Sequence, residues 1–368
     1  MAKSLEELLG YRTLTGLIQA TVPGVPDVLP ASFNGTSKKV LMDDGEYTVT
    51  KGNRAVARRV KFGAPAKKRG LNEIAVQPVK LLHFRDEFEL DAKVMMKLRG
   101  FDSYEQDKAY DMVSMQIAWF NQFYENLRKT IKIKTLHNPT LYFDGDGNLL
   151  PTSSGATETI TLYSRSASNT GQGLQMDGST PILSASWATA TTNIPRDLTV
   201  WKKTAKARTG YPLKYVVYGE NVLTYLIQNN YVKDYLAREG KQRGEYLNDS
   251  EIGHLFGLEW IPGYDAFWYS EDQTTCNFVL GADEIIACPE PNQNWWEMLE
   301  GSFPVPTSIN IQTDIESAFK SIDLIHGKFA YSYVDLQRGT PTAVGNVGDT
   351  FLYALKVPDA TYVFDTTF

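Results

Sequence analysis

Asp144, Asp146 and Asn148 form the acidic, glycine-containing turn that comes nearest to a binding motif in this sequence. Their spacing matches the first three ligand positions of a calcium-binding loop, where oxygen atoms hold a hard cation. Such a loop also needs a glycine next and a bidentate glutamate at its end, but Leu149 and Gly155 occupy those positions. The residues therefore predict a solvated turn and no metal site.

Other catalytic and cofactor motifs are missing from the sequence. The four histidines are scattered, and no HExxH, GxSxG or GxxxxGK[ST] pattern occurs. Adjacent acids such as Glu271 and Asp272 point in different directions on either a helix or a strand, so they form a poor acid–base pair. Cys276 and Cys288 are too few for a disulfide framework and predict two reduced thiols. We expect no enzymatic activity, no cofactor and no metal.

The composition predicts a folded chain of two domains, or of one domain with large extensions. Of its 368 residues 42% are hydrophobic, which is enough for a sizeable core. The 37 Lys and Arg residues against 43 Asp and Glu residues give a net charge of −6, which excludes a globally basic nucleic-acid binder. No apolar run approaches the roughly 18–20 residues of a membrane helix, and Glu6 and Glu7 interrupt the apolar stretch that an export signal needs.

Charge is unevenly distributed along the chain. Residues 38–84 carry eleven basic and four acidic residues, a balance of +7, on short β-prone pieces separated by turns. Residues 261–319 contain ten acids and no lysine or arginine. Because a two-stranded ribbon is marginal in water, we expect residues 38–80 to lie on a partner surface. Binding of nucleic acid by this basic loop is the competing interpretation.

The first 33 residues predict an arm without a core of its own. Pro23, Pro26 and Pro30 disfavour helix there and indicate extended chain. An extended segment this short cannot bury its own apolar side chains, so we expect Val25 and Leu29, together with Val28, to be covered by a neighbouring molecule.

Two helices are predicted after the basic loop. The spacing of Phe88, Ala92 and Met96 predicts a helix over 86–99, ended by Gly100. A capping-box pattern at 103–106 opens a longer helix to about residue 131. Its apolar stripe is broad enough for packing on more than one side, although an ordinary core helix fits equally well. The main stripe contains Met112, Met115, Trp119, Phe123, Leu127 and Ile131, and the residues that widen it are Val113, Ile117, Phe120 and Tyr124.

A compact α/β region follows a stretch rich in serine, threonine and glycine at 151–180. We predict a helix from Pro195 that stops at Gly210, a buried strand over 215–218, a helix over 220–230 and a short helix over 231–238. The last fifty residues are β-rich.

The order of these elements resembles that of tailed-phage major capsid proteins, and more closely the family of the lambda head protein E. The motifs that carry the resemblance are Phe84-Arg-Asp-Glu-Phe88 before the long helix, Pro195-Arg-Asp-Leu198, Gly210-Tyr-Pro-Leu-Lys-Tyr-Val-Val-Tyr-Gly219 followed by a helix ending in Asn229-Asn230, and Gly348-Asp-Thr-Phe-Leu-Tyr-Ala-Leu-Lys-Val-Pro-Asp-Ala360. No single motif is decisive, but their order is specific and covers most of the chain.

The resemblance implies an α+β chain with the Hong Kong 97-type capsid fold. Its parts would be an N-terminal arm (1–33), an extended basic β-hairpin loop (34–84), a peripheral domain (85–194) with a spine helix at 103–131, an axial α/β domain (195–305) and a β-rich return to the peripheral domain (306–368). It also implies a non-enzymatic shell protein, self-assembling into hexamers and pentamers of an icosahedral head that encloses double-stranded DNA non-specifically. Its location would be the virion, after assembly in the host cytoplasm and without membrane contact.

The expected partners are further copies of the chain, a portal protein and, in some heads, a decoration protein. Because only about 33 residues precede the basic loop, we also expect a separate scaffolding protein. Contacts between subunits are assigned to the loop residues Arg54, Arg58, Arg59, Lys61, Lys67, Lys68 and Arg69, to the arm residues Val25, Val28 and Leu29, and packing of the spine helix to Trp119, Phe123 and Leu127.

One alternative shares the implied fold. An encapsulin-type compartment would use the same shell to hold enzyme cargo, and the genes beside this one would distinguish the two: portal and terminase genes, or a cargo enzyme. A nucleic-acid-binding protein would instead show salt-dependent affinity for DNA as an isolated chain.

Overall fold

A computed structural model of the chain describes residues 8–20, 27–41, 44–50, 74–90, 92–98, 103–163, 183–238, 253–269, 274–306, 322–335 and 342–367. Its helices are α1 (Tyr11–Ala20), α2 (Ala92–Leu98), α3 (Ser103–His137), α4 (Ile194–Thr209), α5 (Glu220–Gln228) and α6 (Asn230–Arg238). The described part of the chain forms a six-stranded sheet packed against α3 and a five-stranded sheet packed against α4, α5 and α6.

The strands fall into two large and three small sheets. The large six-stranded sheet contains β1 (Ser37–Val40), β4 (Leu82–Leu90), β14 (Trp296–Pro306), β15 (Ile322–His326), β16 (Phe329–Asp335) and β17 (Thr342–Leu355). The five-stranded sheet contains β8 (Leu213–Tyr218), β9 (His254–Leu255), β10 (Leu258–Pro262), β13 (Glu284–Pro289) and β18 (Tyr362–Asp365). The small sheets are β2 (Asp44–Thr50) with β3 (Ile74–Lys80), β5 (Thr140–Phe143) with β6 (Leu149–Leu150) and β7 (Glu158–Thr161), and β11 (Phe267–Tyr269) with β12 (Cys276–Phe278).

Strand β17 is the centre of the six-stranded sheet. Its first part pairs with β4 and β16 at once, and its last part pairs with β14, antiparallel in each case. Two glycines make this packing possible. A Cβ atom on Gly345 would lie 2.2 Å from the ring of Phe88, and one on Gly348 would lie 2.4 Å from the ring of Phe329. Both aromatic rings therefore lie directly against bare backbone.

Helix α3 continues six residues past the predicted end at residue 131, to His137. The side chains that it buries against the sheet and α1 include Val113, Ile117 and Tyr124. The Tyr124 hydroxyl donates to the carboxylate of Asp86 on β4 at 2.5 Å, so the middle of the helix is also fixed to the sheet by a hydrogen bond.

Buried charges attach the second half of α3. Arg128 donates from Nε and Nη2 to both carboxylate oxygens of Asp349 on β17, at 2.5 and 2.6 Å. Burial opposes the charge of Arg128, yet the Asp349 carboxylate raises the pKa of the guanidinium. Lys132 binds Asp27, and Lys328 at the start of β16 binds Glu125. The helix is therefore held to three other parts of the chain by charge pairs.

The α/β region forms as predicted from its sequence. Helix α4 begins after Asn193, whose side chain accepts from the backbone N–H of Arg196, and it ends at Gly210 with φ 87°. Strand β8 pairs in parallel with β10 and antiparallel with β13. Trp201 of α4 is fully buried between the rings of Trp187 and Phe364, with centroid distances of 5.4 and 4.3 Å.

The predicted helix over 86–99 is wrong in its first half. Residues 82–90 form β4, and only Ala92–Leu98 is helical. The spacing of Phe84 and Phe88 fits one face of a strand as well as one face of a helix. A continuous antiparallel register from Leu90 opposite Ala343 to Leu82 opposite Phe351 decides for the strand.

The expectation of an arm without a core needs two corrections. Residues 11–20 form α1, which buries Leu14 and Ile18 against α3, while Thr15 Oγ1 donates to the carbonyl of Ala330 on β16. Leu29 is 2% exposed and belongs to the main core of the same chain. No neighbouring molecule is needed to bury this side chain, and its assignment as an inter-subunit contact stays a prediction.

The boundaries drawn from the sequence divide the sheets incorrectly. Strand β1, placed in the loop at 34–84, pairs in parallel with β14. Strand β14, placed in the axial domain, belongs to the six-stranded sheet. Strand β18, placed with the β-rich return at 306–368, pairs with β13 in the five-stranded sheet. The chain therefore crosses between the two sheets more often than a division by sequence position allows.

The buried pair of Arg128 and Asp349 predicts a large loss of stability when one partner is removed. Asp349→Asn leaves the buried guanidinium with only the more distant carboxylate of Glu300, at 3.7 Å, so we expect the free energy of unfolding to fall by about 3–5 kcal/mol in urea titrations. The matched control is Glu290→Gln, which removes the exposed partner of Lys214 and should cost less than about 1 kcal/mol. Equal effects of the two variants would contradict the role given to the buried pair.

Lys134 near the end of α3 predicts a dependence of stability on pH. Its Nζ donates to the carbonyl of Leu150, and burial lowers its pKa to about 8, against about 10.4 in an unfolded chain. Between these values the unfolded chain binds more protons than the folded one, so stability rises with pH there. We expect the wild type to gain thermal stability relative to Lys134→Met as the pH rises from about 8 to 10.

Lys214 is the control for this titration. Its hydrogen bond to Glu290 raises its pKa, so its contribution to stability persists up to the unfolded pKa of about 10.4 and is lost only above it. The stability of the wild type relative to Lys214→Met should therefore stay constant from about pH 8 to 10. An equally constant difference between the wild type and Lys134→Met over this range would refute the assignment to Lys134.

Candidate assembly surface

Large apolar side chains that remain outside the core form a patch along the first part of α3. The helix patch, as we call it, consists of Met112, Met115, Trp119 and Phe123 of α3. Met115 is 71% exposed, Trp119 is 53% exposed and Phe123 is 42% exposed. Contiguous exposed apolar residues on a folded chain mark a surface that another molecule covers.

The helical periodicity explains how α3 presents this patch. Met112, Met115, Trp119 and Phe123 recur at three or four residues, so they share one face of the helix. The sequence predicts these four residues as part of one stripe, and the structure orients them away from the core. The last two members of the predicted stripe, Leu127 and Ile131, pack in or against the core instead. The residues expected only to widen it, Val113 and Ile117, are fully buried. The spacing of apolar residues identifies both apolar faces of such a helix but does not predict which face packs against the core.

A groove runs beside the helix patch. It has a volume of about 570 Å³ and lies between β4, α2 and α3. Its lining includes Phe88, Leu90 and Val94 below the exposed Met112 and Trp119. Glu89 of β4 also lines the groove, and Asp107 and Asp111 of α3 are exposed. The groove is therefore a mostly apolar depression with one acidic residue in its lining.

A second exposed apolar surface lies on the hairpin of β11 and β12. The hairpin patch consists of Phe267, Tyr269 and Phe278, each more than two-fifths exposed. The rings of Phe267 and Phe278 are 6.2 Å apart, and those of Phe267 and Tyr269 are 5.8 Å apart at 89°. Trp268, which lies between Phe267 and Tyr269 on β11, faces the other side of the hairpin. The Nζ atom of Lys134 lies 4.9 Å from the centroid of its ring. The hairpin is thus anchored on one side and presents aromatic rings on the other.

The predicted contact residues are distributed between described and undescribed parts of the chain. The loop residues Arg54, Arg58, Arg59, Lys61, Lys67, Lys68 and Arg69 lie outside the described residues, as does Val25 of the arm. The described ends of the loop, β2 and β3, pair from Asp44 opposite Lys80 to Thr50 opposite Ile74, which agrees with an antiparallel ribbon. Val28 is half-buried and packs on the main core, as does Leu127 of α3.

Trp119 and Phe123 differ from Leu127 in their surroundings. Both rings lie in the helix patch and contact each other at a centroid distance of 4.7 Å. They do not enter the core of their own chain. The assignment of these two residues to packing of the long helix stays a prediction.

The described residues contain no group of three or more side chains that could hold a metal ion. The Asp144 turn is closed by its own hydrogen bonds, since Oδ1 accepts from the backbone N–H of Asp146 and of Asn148. Cys276 and Cys288 are both free thiols, and burial raises the pKa of Cys288. Among the helices that the structure describes, none has a stretch apolar and long enough to cross a membrane.

No protein-family model matches the sequence, and no curated protein matches it either. Solved structures do match. A phage-related protein from Bordetella bronchiseptica is 10% identical with a TM-score of 0.50, and the match covers 97% of each chain. The chain shares the fold of that protein. The α+β fold class predicted from the sequence is thereby confirmed.

Two further solved structures match over most of their length with lower scores. The capsid of a native GTA particle is 9% identical with a TM-score of 0.43, covering 95% of this chain and 94% of that one. The holo-SrpI encapsulin from Synechococcus elongatus is 11% identical with a TM-score of 0.41, covering 94% and 91%.

The outward orientation of the helix patch predicts opposite results for neighbouring residues. Met115→Lys changes an exposed side chain, so we expect the free energy of unfolding to stay within about 0.5 kcal/mol of the wild type. Ile117→Lys places an unpaired charge in the core and should prevent folding or cost more than about 4 kcal/mol. Urea titrations followed by circular dichroism measure both, and a strongly destabilised Met115→Lys would show that Met115 is a core residue.

Proposed function

We propose that this protein is the major capsid protein of a tailed bacteriophage and that its copies assemble into the hexamers and pentamers of an icosahedral head. The observation that carries the proposal is the fold shared with a phage-related protein over 97% of both chains. The order of sequence motifs that resembles the lambda head protein E family supports the same function. So do two exposed apolar patches on a chain whose sequence carries no catalytic motif.

A shell protein needs several separate interfaces on each subunit, and this chain offers them. The helix patch and the hairpin patch lie on different elements and present large apolar side chains. Each contact need bury only a modest area, because a subunit held at several interfaces cannot leave until all of them open. Closure of the shell then gives kinetic stability that no single interface provides.

Charge complementarity is the second part of the proposal. Residues 38–84 carry a balance of +7, and residues 261–319 carry ten acids without a base. One acidic residue, Glu89, also lines the groove beside the helix patch. Pairing between the basic loop of one subunit and an acidic surface of the next would orient subunits during association and set their register.

The remaining partners belong to the same proposal. A separate scaffolding protein would direct assembly, a portal would replace one pentamer, and double-stranded DNA would be enclosed without sequence recognition. The virion would be the site of function and the host cytoplasm the site of assembly. An encapsulin-type shell is distinguished by what purified particles contain: nuclease-protected DNA supports a phage head, and an enclosed enzyme supports a compartment.

Reversing the charge of the basic loop tests the assembly mechanism. Arg58→Glu together with Arg59→Glu should abolish particles in electron micrographs, because like charges then face each other at the interface. The variant should remain a folded monomer or capsomer by size exclusion and circular dichroism.

The control carries the same change of charge elsewhere. Lys203→Glu with Lys206→Glu alters two exposed lysines on α4 and should still give shells. Normal shells from the loop variant would contradict charge pairing by the loop. Loss of shells in both variants would show that net charge, and not the loop, controls assembly.

A further inference from the structure

An amide, an amine and a carboxylate meet between α3 and the six-stranded sheet. Asn121 and Glu125 are one helical turn apart on α3, so both face the same neighbour. That neighbour is Lys328, which directly precedes β16 and follows Gly327, a glycine with φ 71°. The turn at Gly327 directs the lysine side chain back toward the helix.

The contacts between the three side chains are direct. Nζ of Lys328 donates to Oδ1 of Asn121 at 2.6 Å and also to Oε1 of Glu125. Asn121 is completely buried and Lys328 is 8% exposed. The carbonyl carbon of Asn121 is one bond from the oxygen that the amine contacts. A nucleophile, an electrophile and a proton carrier are therefore held together where little water reaches.

We propose that Lys328 and Asn121 become joined by an isopeptide bond within the chain, with Glu125 as the proton carrier. The proposal concerns a covalent modification of the folded subunit and does not depend on what the subunit assembles into.

The reaction needs no oxidant and no further reactant. Glu125 takes a proton from the Lys328 ammonium, and the neutral amine attacks Cγ of Asn121 to give a tetrahedral intermediate. The C–Nδ2 bond then breaks, while Glu125 returns its proton and the attacking nitrogen gives up one to the departing group. The products are a secondary amide between the two side chains and one ammonium ion, so atoms and charge balance.

Two features of the site favour this reaction. Holding the reacting groups in contact converts a bimolecular step into an intramolecular one, for which effective concentrations of about 10⁵–10⁸ M are reached in well-oriented systems. Burial lowers the pKa of Lys328, although Glu125 opposes this, and so increases the share of neutral amine that can attack. The low exposure of Asn121 also limits attack by water on the same carbonyl.

The chain contains a second cluster of the same three chemical types, which serves as an internal control. Lys132 of α3 donates to Oδ1 of Asn34 at 2.5 Å and to the carboxylate of Asp27. Asn34, unlike Asn121, is exposed. Its amide is solvated and less firmly positioned, so we expect this second cluster to remain an ion pair with a hydrogen bond.

An isopeptide bond here would have a mechanical consequence. It would connect the middle of α3 covalently to the start of β16, beside the ion pair that already links α3 to β17. A force or a denaturant that separates helix from sheet would then have to break a covalent bond. The unfolded chain would also be restricted by a closed loop of about two hundred residues.

Mass spectrometry of the purified full-length protein tests the proposal. We expect the intact mass to be lower than the sequence mass by one ammonia, and protease digestion to give a branched peptide that joins residues 121 and 328. Glu125→Gln should keep the ammonia and give only linear peptides. Lys328→Met removes the nucleophile and should also show its full sequence mass, which checks that no other site loses ammonia.

The outcomes separate the proposal from a structural ion pair. A wild-type protein that keeps its full mass and yields only linear peptides, before and after prolonged incubation, would overturn it, and this result does not depend on whether any variant folds. A branched peptide joining residues 34 and 132 in place of 121 and 328 would also overturn it. Formation of the 121–328 link at the wild-type rate in Glu125→Gln would remove Glu125 from the mechanism.

Discussion

The attachment of α3 through buried charges is the constraint on which the rest of the structure depends. The second half of this helix carries Arg128, Lys132 and Lys134 into the interior, where an uncompensated charge is costly. Each of the first two therefore needs an acid at a fixed place, and Asp349 and Asp27 supply it. One of these acids lies on the central strand and the other in the N-terminal segment, so the helix can dock in only one register.

The orientation of the helix patch follows from this docking. Once Arg128 and Lys132 face the sheet, the helical periodicity turns Met115, Trp119 and Phe123 outward along the preceding turns. Hydrophobicity alone would not decide this, since both faces of the first half of α3 are apolar. The buried ion pairs in the second half of α3 thus determine which apolar face of its first half packs within the chain and which face stays exposed.

Much of the fold could be predicted from local signals, and the failures share a physical cause. The start of α4 near Pro195, its stop at Gly210 and the strand over 215–218 follow from a proline, a glycine and a short apolar run. The spacing of the apolar residues in β4 fits a helix as well as a strand, and only its pairing with β17 decides between the two. The membership of β1, β14 and β18 in their sheets depends on pairing between residues far apart in sequence.

The candidate surface could be predicted only in part for the same reason. The stripe on α3 is visible in the sequence, but its outward direction depends on Asp349 and Asp27, which are distant in the chain. The cluster of Asn121, Glu125 and Lys328 combines one helical turn with a residue about two hundred positions away. No pattern of neighbouring residues in the sequence predicts that these three side chains lie together.

The pairing of β18 with β13 has a consequence for the timing of folding. Phe364 closes the core around Trp201, and its strand is made after every other member of the five-stranded sheet. While the ribosome still holds the residues around Asp365 in its exit tunnel, that sheet lacks its edge strand β18, and Trp201 of α4 lacks its contact with Phe364. A nascent chain therefore cannot complete the core around Trp201 until translation has passed this strand.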